Sequence, residues 1–106
     1  MLLDIEETGE PATFKVAGEL DISNADQLAA VLVPAAEGGG RVVLDCSELR
    51  FVDSSGIRVF IRAMDRLRGQ GVLVLRSPTT PVRQVIQLMG LDTRDELTLE
   101  DAESSP

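Results

Sequence analysis

The chain has 106 residues, of which 43% are hydrophobic and 26% charged, with a net charge of −8; that is the profile of one soluble domain with one core. It contains no His and a single Cys, Cys46, which excludes a Ser–His–Asp triad, an imidazole base, a His-ligated metal, an intrachain disulfide and a C-x-x-C pair. The excess of acid argues against general affinity for nucleic acid or an anionic membrane, and neither a membrane-length apolar run nor a signal peptide is evident, so the sequence reads as cytoplasmic.

The acid is concentrated at the ends. Residues 1–10 carry −4 and residues 92–106 carry −5, whereas the stretch between them is close to neutral. With three Phe and neither Tyr nor Trp, the core must be aliphatic.

Leu2, Leu3 and Ile5 predict a short first strand over 2–6, followed by a turn at Gly9-Glu10-Pro11. Residues 13–17 alternate, with Phe14 and Val16 on one face, which predicts a half-buried strand paired with the first as a hairpin. Ser23 then opens a helix over 24–36, with Asp26 as its capping-box partner and Ala25, Leu28, Ala29, Leu32 and Ala35 as the apolar stripe. Pro34 weakens its last turn, and Gly38-Gly39-Gly40 ends it.

Val42-Val43-Leu44 reads as a strand over 41–45 covered on both faces. Phe51-Val52 leads to Asp53-Ser54-Ser55-Gly56, after which Ile57, Phe60, Ile61, Met64 and Leu67 mark a helix over 55–68. A second buried strand follows at 72–76. Pro81 behind Thr80 starts a third helix over 81–89, with Val82, Val85, Ile86 and Met89 as its stripe. Leu97 and Leu99 form a last strand or half-turn, and the tail from 101 to 106 is expected to fray. The implied class is α/β: a mixed sheet made of a β-hairpin plus parallel strands, packed with amphipathic helices. One sheet face should be covered by helices and the other at least partly.

The residues with most chemical content are Asp53-Ser54-Ser55-Gly56. Asp53 is a good N-cap, the two serines fall in the first turn, and Gly56 leaves room for another backbone. That pattern describes a well-made helix start. It also describes an exposed Ser54 hydroxyl at the positive end of a helix, suited to carrying a phosphate. As a nucleophile Ser54 lacks an activating base and lies outside any G-x-S-x-G elbow, so it reads as a substrate rather than a catalyst. Gly18-Glu19-Leu20-Asp21 is a Gly turn with two acids before a helix, by itself a solvated loop. Arg58, Arg62 and Arg66 lie on the second helix away from its apolar stripe, either as a solvated face with Asp65 as a nearby partner or, for Arg58, as a cation one turn from Ser54 that can reach a phosphate there or a partner's acid. The Glu37–Arg41 segment lacks the Gly-Lys-Ser/Thr of a phosphate loop. Cys46 reads as a small, partly buried structural thiol.

Taken together, Gly18-Glu19-Leu20-Asp21, Val42-Val43-Leu44-Asp45, Phe51-Val52-Asp53-Ser54-Ser55-Gly56-Ile57 and Met89-Gly90-Leu91 resemble the STAS domain family, specifically the bacterial anti-sigma factor antagonist (anti-anti-sigma factor) type. The resemblance covers nearly the whole chain, with residues 1–100 as the domain and 101–106 as an acidic tail. It implies a non-enzymatic regulator, without cofactor or metal, that binds an anti-sigma factor with serine kinase activity and so frees a sigma factor. It further implies that Ser54 is phosphorylated by that kinase, that phosphorylation abolishes binding, and that a serine phosphatase restores it. The partner-binding residues carried over are Gly18, Glu19, Asp21, Ser23, Asp53, Ser54, Ser55, Gly56 and Arg58. Arg58 departs from the family, whose members often have Gly there. The competing readings are a STAS subunit of a larger signalling or lipid-transport assembly, and a small metal-dependent nucleotide hydrolase using Asp21 and Asp53.

Overall fold

The computed structural model describes residues 3–9 and 12–101. Leu2, the Glu10-Pro11 part of the predicted turn and the tail from residue 102 lie outside them. In chain order the elements are β1 (Leu3–Gly9), β2 (Thr13–Leu20), α1 (Ala25–Glu37), β3 (Gly40–Val52), α2 (Ser54–Leu67), β4 (Gly71–Arg76), α3 (Thr80–Leu88), a 3-10 turn at Leu91–Thr93, and β5 (Leu97–Glu100). The five strands lie side by side in sequence order. β1 and β2 form the predicted antiparallel hairpin, and every later neighbour is parallel, joined through α1, α2 and α3 in turn.

The change of apolar period from 2 to 3.6 locates these elements, and the core follows from it. Leu28 and Leu32 of α1, Phe60 and Met64 of α2, and Val82 and Ile86 of α3 join Val42, Leu44, Leu73 and Leu75 in one buried cluster. All three helices therefore pack on a single face of the sheet. Among the described residues no helix gives the second face the partial cover expected, although Val43 and Val74, paired on it, are buried. Instead, Glu6, Lys15, Asp45, Arg76 and Glu100 stand opposite one another across all five strands, alternating in sign. Arg76 and Arg41 reach Glu100 at 2.5 and 2.8 Å, and Lys15 reaches Glu48 at 3.0 Å. Such exposed pairs contribute little individually, but opposite charges on neighbouring strands favour this register over a slipped one.

Several boundaries differ from expectation for identifiable reasons. β3 continues past residue 45 to Val52, because Cys46, Leu49 and Val52 are buried along a segment whose polar residues read locally as a loop. The neighbouring strand overrides that local preference. Two irregularities in the pairing each give β3 one extra residue relative to β2, the first between Lys15 and Ala17 and the second between Gly18 and Glu19. Cys46 thus lies inside the strand; burial, reinforced by the Asp45 charge, pushes its thiol well above the usual range and suppresses the reactive thiolate. In α1, Ala36 rather than Ala35 is fully buried. α3 begins after Thr79 rather than Thr80, and the Thr79 hydroxyl donates to the Leu49 carbonyl at 2.7 Å. Met89 caps α3 in the open, 54% exposed, and does not extend its stripe. β5 forms despite its acidic surroundings, since Leu97 and Leu99 face the core while Glu100 faces arginines. Among the described residues, no helix is long and apolar enough to cross a membrane.

Candidate functional site

Two segments far apart in sequence meet because β2 and β3 are adjacent and parallel. Glu19 stands opposite Phe51 and Leu20 opposite Val52, and the Asp53 N–H donates to the Leu20 carbonyl at 3.1 Å. The strands therefore deliver Gly18–Asp21 and Asp53–Gly56 to the same end of the sheet, the C-terminal ends of β2 and β3. Gly18 has φ +114°, beside a pairing irregularity that alters how β2 runs into its loop.

The first loop is held by a residue that the sequence patterns did not single out. Asn24 is 3% exposed. Its side-chain oxygen accepts from the Asp21 N–H at 2.9 Å, and its amide donates to the Glu19 carbonyl at 2.8 Å. Asn24 is the residue before α1, but its side chain makes no capping bond to the helix. The predicted Ser23–Asp26 capping box is thus replaced by a clasp on the preceding strand end. The available signal was an Asn immediately before an apolar helical stripe, which is a strong boundary residue. Ser23 instead serves Asp21: its N–H and hydroxyl donate to one Asp21 oxygen at 2.9 and 2.5 Å. Those two bonds, the hydroxyl's first, hold the Asp21 carboxyl below its ordinary value.

At the second segment, Asp53 is the expected N-cap. One oxygen accepts from the Ser55 and Gly56 N–H groups at 2.8 and 3.3 Å, and its carbonyl accepts from Ile57 at 3.0 Å. Ser54 is exposed at the first helical position, and its hydroxyl has no hydrogen-bond partner among the described residues. Ser55 is half-buried and Gly56 fully so. The Gly56 contact differs from expectation: a Cβ there would lie 2.6 Å from side-chain carbons of Leu20 and Val52, rather than against backbone. Gly56 thereby lets α2 settle onto the ends of β2 and β3.

The helix end is consequently less free for an anion than its sequence implied. Asp53 already occupies two of the first-turn donors, so a phosphate on Ser54 would sit beside a carboxylate rather than in an empty cradle. Arg58 lies on the same helix face one turn later, exposed. Asp21 and Asp53 each engage backbone N–H groups. Among the described residues, no group of three or more His, Cys, Asp or Glu is placed to hold a metal ion. The structure therefore brings Glu19 and Leu20 beside the Phe51–Asp53 strand end, Gly56 against Leu20, and Ser55 and Arg58 across a groove from Ile22, Ala25 and Asp26; Gly18 pairs with Leu49, and Ser23 bonds to Asp21.

Comparison with known proteins places this geometry in context. A family model described as "Mlab, STAS domain" matches residues 3–100. The chain is 39% identical over 75 residues to the putative anti-sigma factor antagonist BtrV of Bordetella bronchiseptica, covering 69% of this chain and 65% of that protein. It is 29% identical over 69 residues to the anti-sigma-B factor antagonist of Bacillus subtilis, covering 65% of this chain and 63% of that protein. The matched segments span less than two thirds of either relative's length. Among solved structures, the anti-sigma factor antagonist SpoIIAA in its unphosphorylated form superposes with a TM-score of 0.70 at 25% identity, covering 96% of this chain and 90% of that one.

Proposed function

The chain belongs to the STAS domain family, and on that premise we propose that it is a non-enzymatic anti-sigma factor antagonist of the cytoplasm. It binds an anti-sigma factor with serine kinase activity, releases a sigma factor, and is switched off when that kinase phosphorylates Ser54; a serine phosphatase resets it. The contact surface is Gly18, Glu19, Asp21, Ser23, Asp53, Ser54, Ser55, Gly56 and Arg58, within a domain spanning residues 1–100. The observation that carries this reading is the Ser54 hydroxyl: exposed, unbonded, and held on a capped helix start. A hydroxyl without an activating base suits a phosphate acceptor better than a nucleophile.

The switch follows from charge. Phosphorylation adds about 1.5–2 negative charges next to Asp53, whose carboxylate already holds the nearest N–H donors, and at the same end of the sheet as Asp21. The fold tolerates that charge at an exposed helix start. A partner surface shaped for a neutral hydroxyl does not, and about 1.4 kcal/mol of mismatch is already tenfold in affinity.

The test is incubation of the chain with its cognate anti-sigma kinase and ATP, followed by intact mass and site mapping. One phosphate on Ser54 is expected. Ser54→Ala should retain kinase affinity and lose modification, and Ser54→Asp should bind at least about tenfold more weakly while melting normally. Phosphate on Ser55, Ser104 or Ser105, or a Ser54→Asp variant that binds like wild type, defeats the proposal. A second reading, a STAS subunit of a larger signalling or lipid-transport assembly, has one observation on its side: the matching family model is described as Mlab rather than as an antagonist. Stable co-purification in a large complex that is unchanged by Ser54→Asp would favour it.

A further inference from the structure

The chain carries ten basic residues against eighteen acidic ones, so a cation without a partner is unusual here. Seven of the ten make ion pairs: Lys15, Arg41, Arg66, Arg68, Arg76, Arg83 and Arg94. Arg50, Arg58 and Arg62 make none with the described residues. Arg58 and Arg62 are exposed, stand at i and i+4 on α2, and are therefore neighbours of like charge, an arrangement that an incoming anion relieves. They form one wall of a groove whose other wall is Ile22, Ala25 and Asp26, with Ser55 at its Ser54 end. Ile22 is 81% exposed on the loop that Asn24 clasps. The groove thus joins an open aliphatic side chain to two guanidinium groups that make no ion pair, against the one carboxylate of Asp26 in its lining, in a molecule whose net charge otherwise repels acid.

We propose that this groove seats an acidic–aliphatic segment of the partner protein, with a carboxylate drawn to Arg58 and Arg62 and an aliphatic side chain laid on Ile22 and Ala25. The inference rests on reading the chain as a partner-binding antagonist and adds the chemistry of what is bound. Guanidinium groups pair with carboxylates by charge-assisted hydrogen bonds, and Ile22 supplies apolar area beside them. It also couples to the switch. Ser54 lies one turn before Arg58, so a phosphate on Ser54 competes with the partner's carboxylate for the same guanidinium.

The test is an NMR titration of the isotopically labelled full chain with an end-blocked octapeptide of alternating Asp and Leu, and with its Lys–Leu counterpart. The acidic peptide is expected to shift Ile22, Ser55, Arg58 and Arg62, and the basic peptide none of them. Arg58→Glu combined with Arg62→Glu should weaken the acidic peptide about tenfold or more, whereas Arg50→Glu, outside the groove, should change it by less than about twofold. If the charge reversal disturbs folding, Arg58→Gln with Arg62→Gln supplies the same comparison, with an expected loss of about threefold or more. Shifts confined to another surface, or affinity indifferent to Arg58 and Arg62, overturn the inference. The peptide readout needs no kinase, so its failure leaves the Ser54 phosphorylation result standing, and failure of phosphorylation leaves the peptide result standing.

Discussion

The two ends of β3 are closed in different ways. At its start, Gly40 pairs with Gly71 of β4, and a Cβ on Gly71 would lie 2.1 Å from the Gly40 carbonyl oxygen and 2.6 Å from its nitrogen. There, backbone meets backbone and nothing can yield. At its far end, Gly56 is crowded by the side chains of Leu20 and Val52 at 2.6 Å, Asn24 holds the neighbouring loop and Asp53 caps α2, each through side-chain hydrogen bonds. One end is sealed by main chain. The other is fastened by side chains that leave Ser54 and Ile22 open to a partner. A binding surface can be built on the second kind of closure because its parts are individually replaceable.

The largest test of that contrast is Gly71→Ala, expected to cost about 3 kcal/mol or more in urea denaturation, the upper range for overpacking, because backbone must move. Gly56→Ala should cost less, about 1–2 kcal/mol, since rotamers of Leu20 and Val52 can adjust and Ala regains helix propensity. If Gly56→Ala were the more damaging of the two, the contrast would be reversed. Asn24→Ala strips a donor and an acceptor from the Glu19–Asp21 turn and should lower stability by about 1–2 kcal/mol. Asn24→Asp keeps an acceptor for the Asp21 N–H but sets a buried carboxylate oxygen against the Glu19 carbonyl, and should cost at least as much as Ala in the same denaturation series.

The smallest effect is electrostatic. Asp21 has a folded pKa below its ordinary value of 3.8 because Ser23 donates to the ionised form. Its contribution is therefore fully present above about pH 4 and lost as pH falls through the lowered folded value. A melt series should show wild type losing slightly more stability than Asp21→Asn below pH 4, with no difference in their pH dependence between pH 6 and 8. Equal acid sensitivity of the two would show that the Ser23 contacts do not persist in solution.

Much of the site was legible residue by residue. Asp53 before a helical stripe announces its own capping role, because an N-cap is satisfied by donors two and three residues on. Ser54 follows as an exposed first-turn residue for the same local reason. Asn24 was not legible in its actual role: its bonds run back to a strand end, although its position marks a helix start. The crowding of Gly56 was equally hidden, since Leu20 is 36 residues away in sequence. The extension of β3 was missed because Asp45–Arg50 has the composition of a loop, and only pairing with β2 makes it a strand.

By itself the sequence determined most of the inward-facing residues of the helices and of the strand cores, through periods of 2 and 3.6, and where α2 begins, through Asp53, because these are local properties; Met89 and the buried residues of late β3 escaped it. It also determined the acid excess against which an unpaired arginine stands out. The tertiary structure alone decided that Gly18–Asp21 and Asp53–Gly56 share one end of the sheet, because that depends on β2 and β3 lying adjacent and parallel across a helical crossover. Apart from the local pairs Arg68–Asp65 and Arg94–Glu96, it also decided which arginines find acids and which do not, because ion pairing acts over a few ångströms and the other pairs join side chains far apart in sequence.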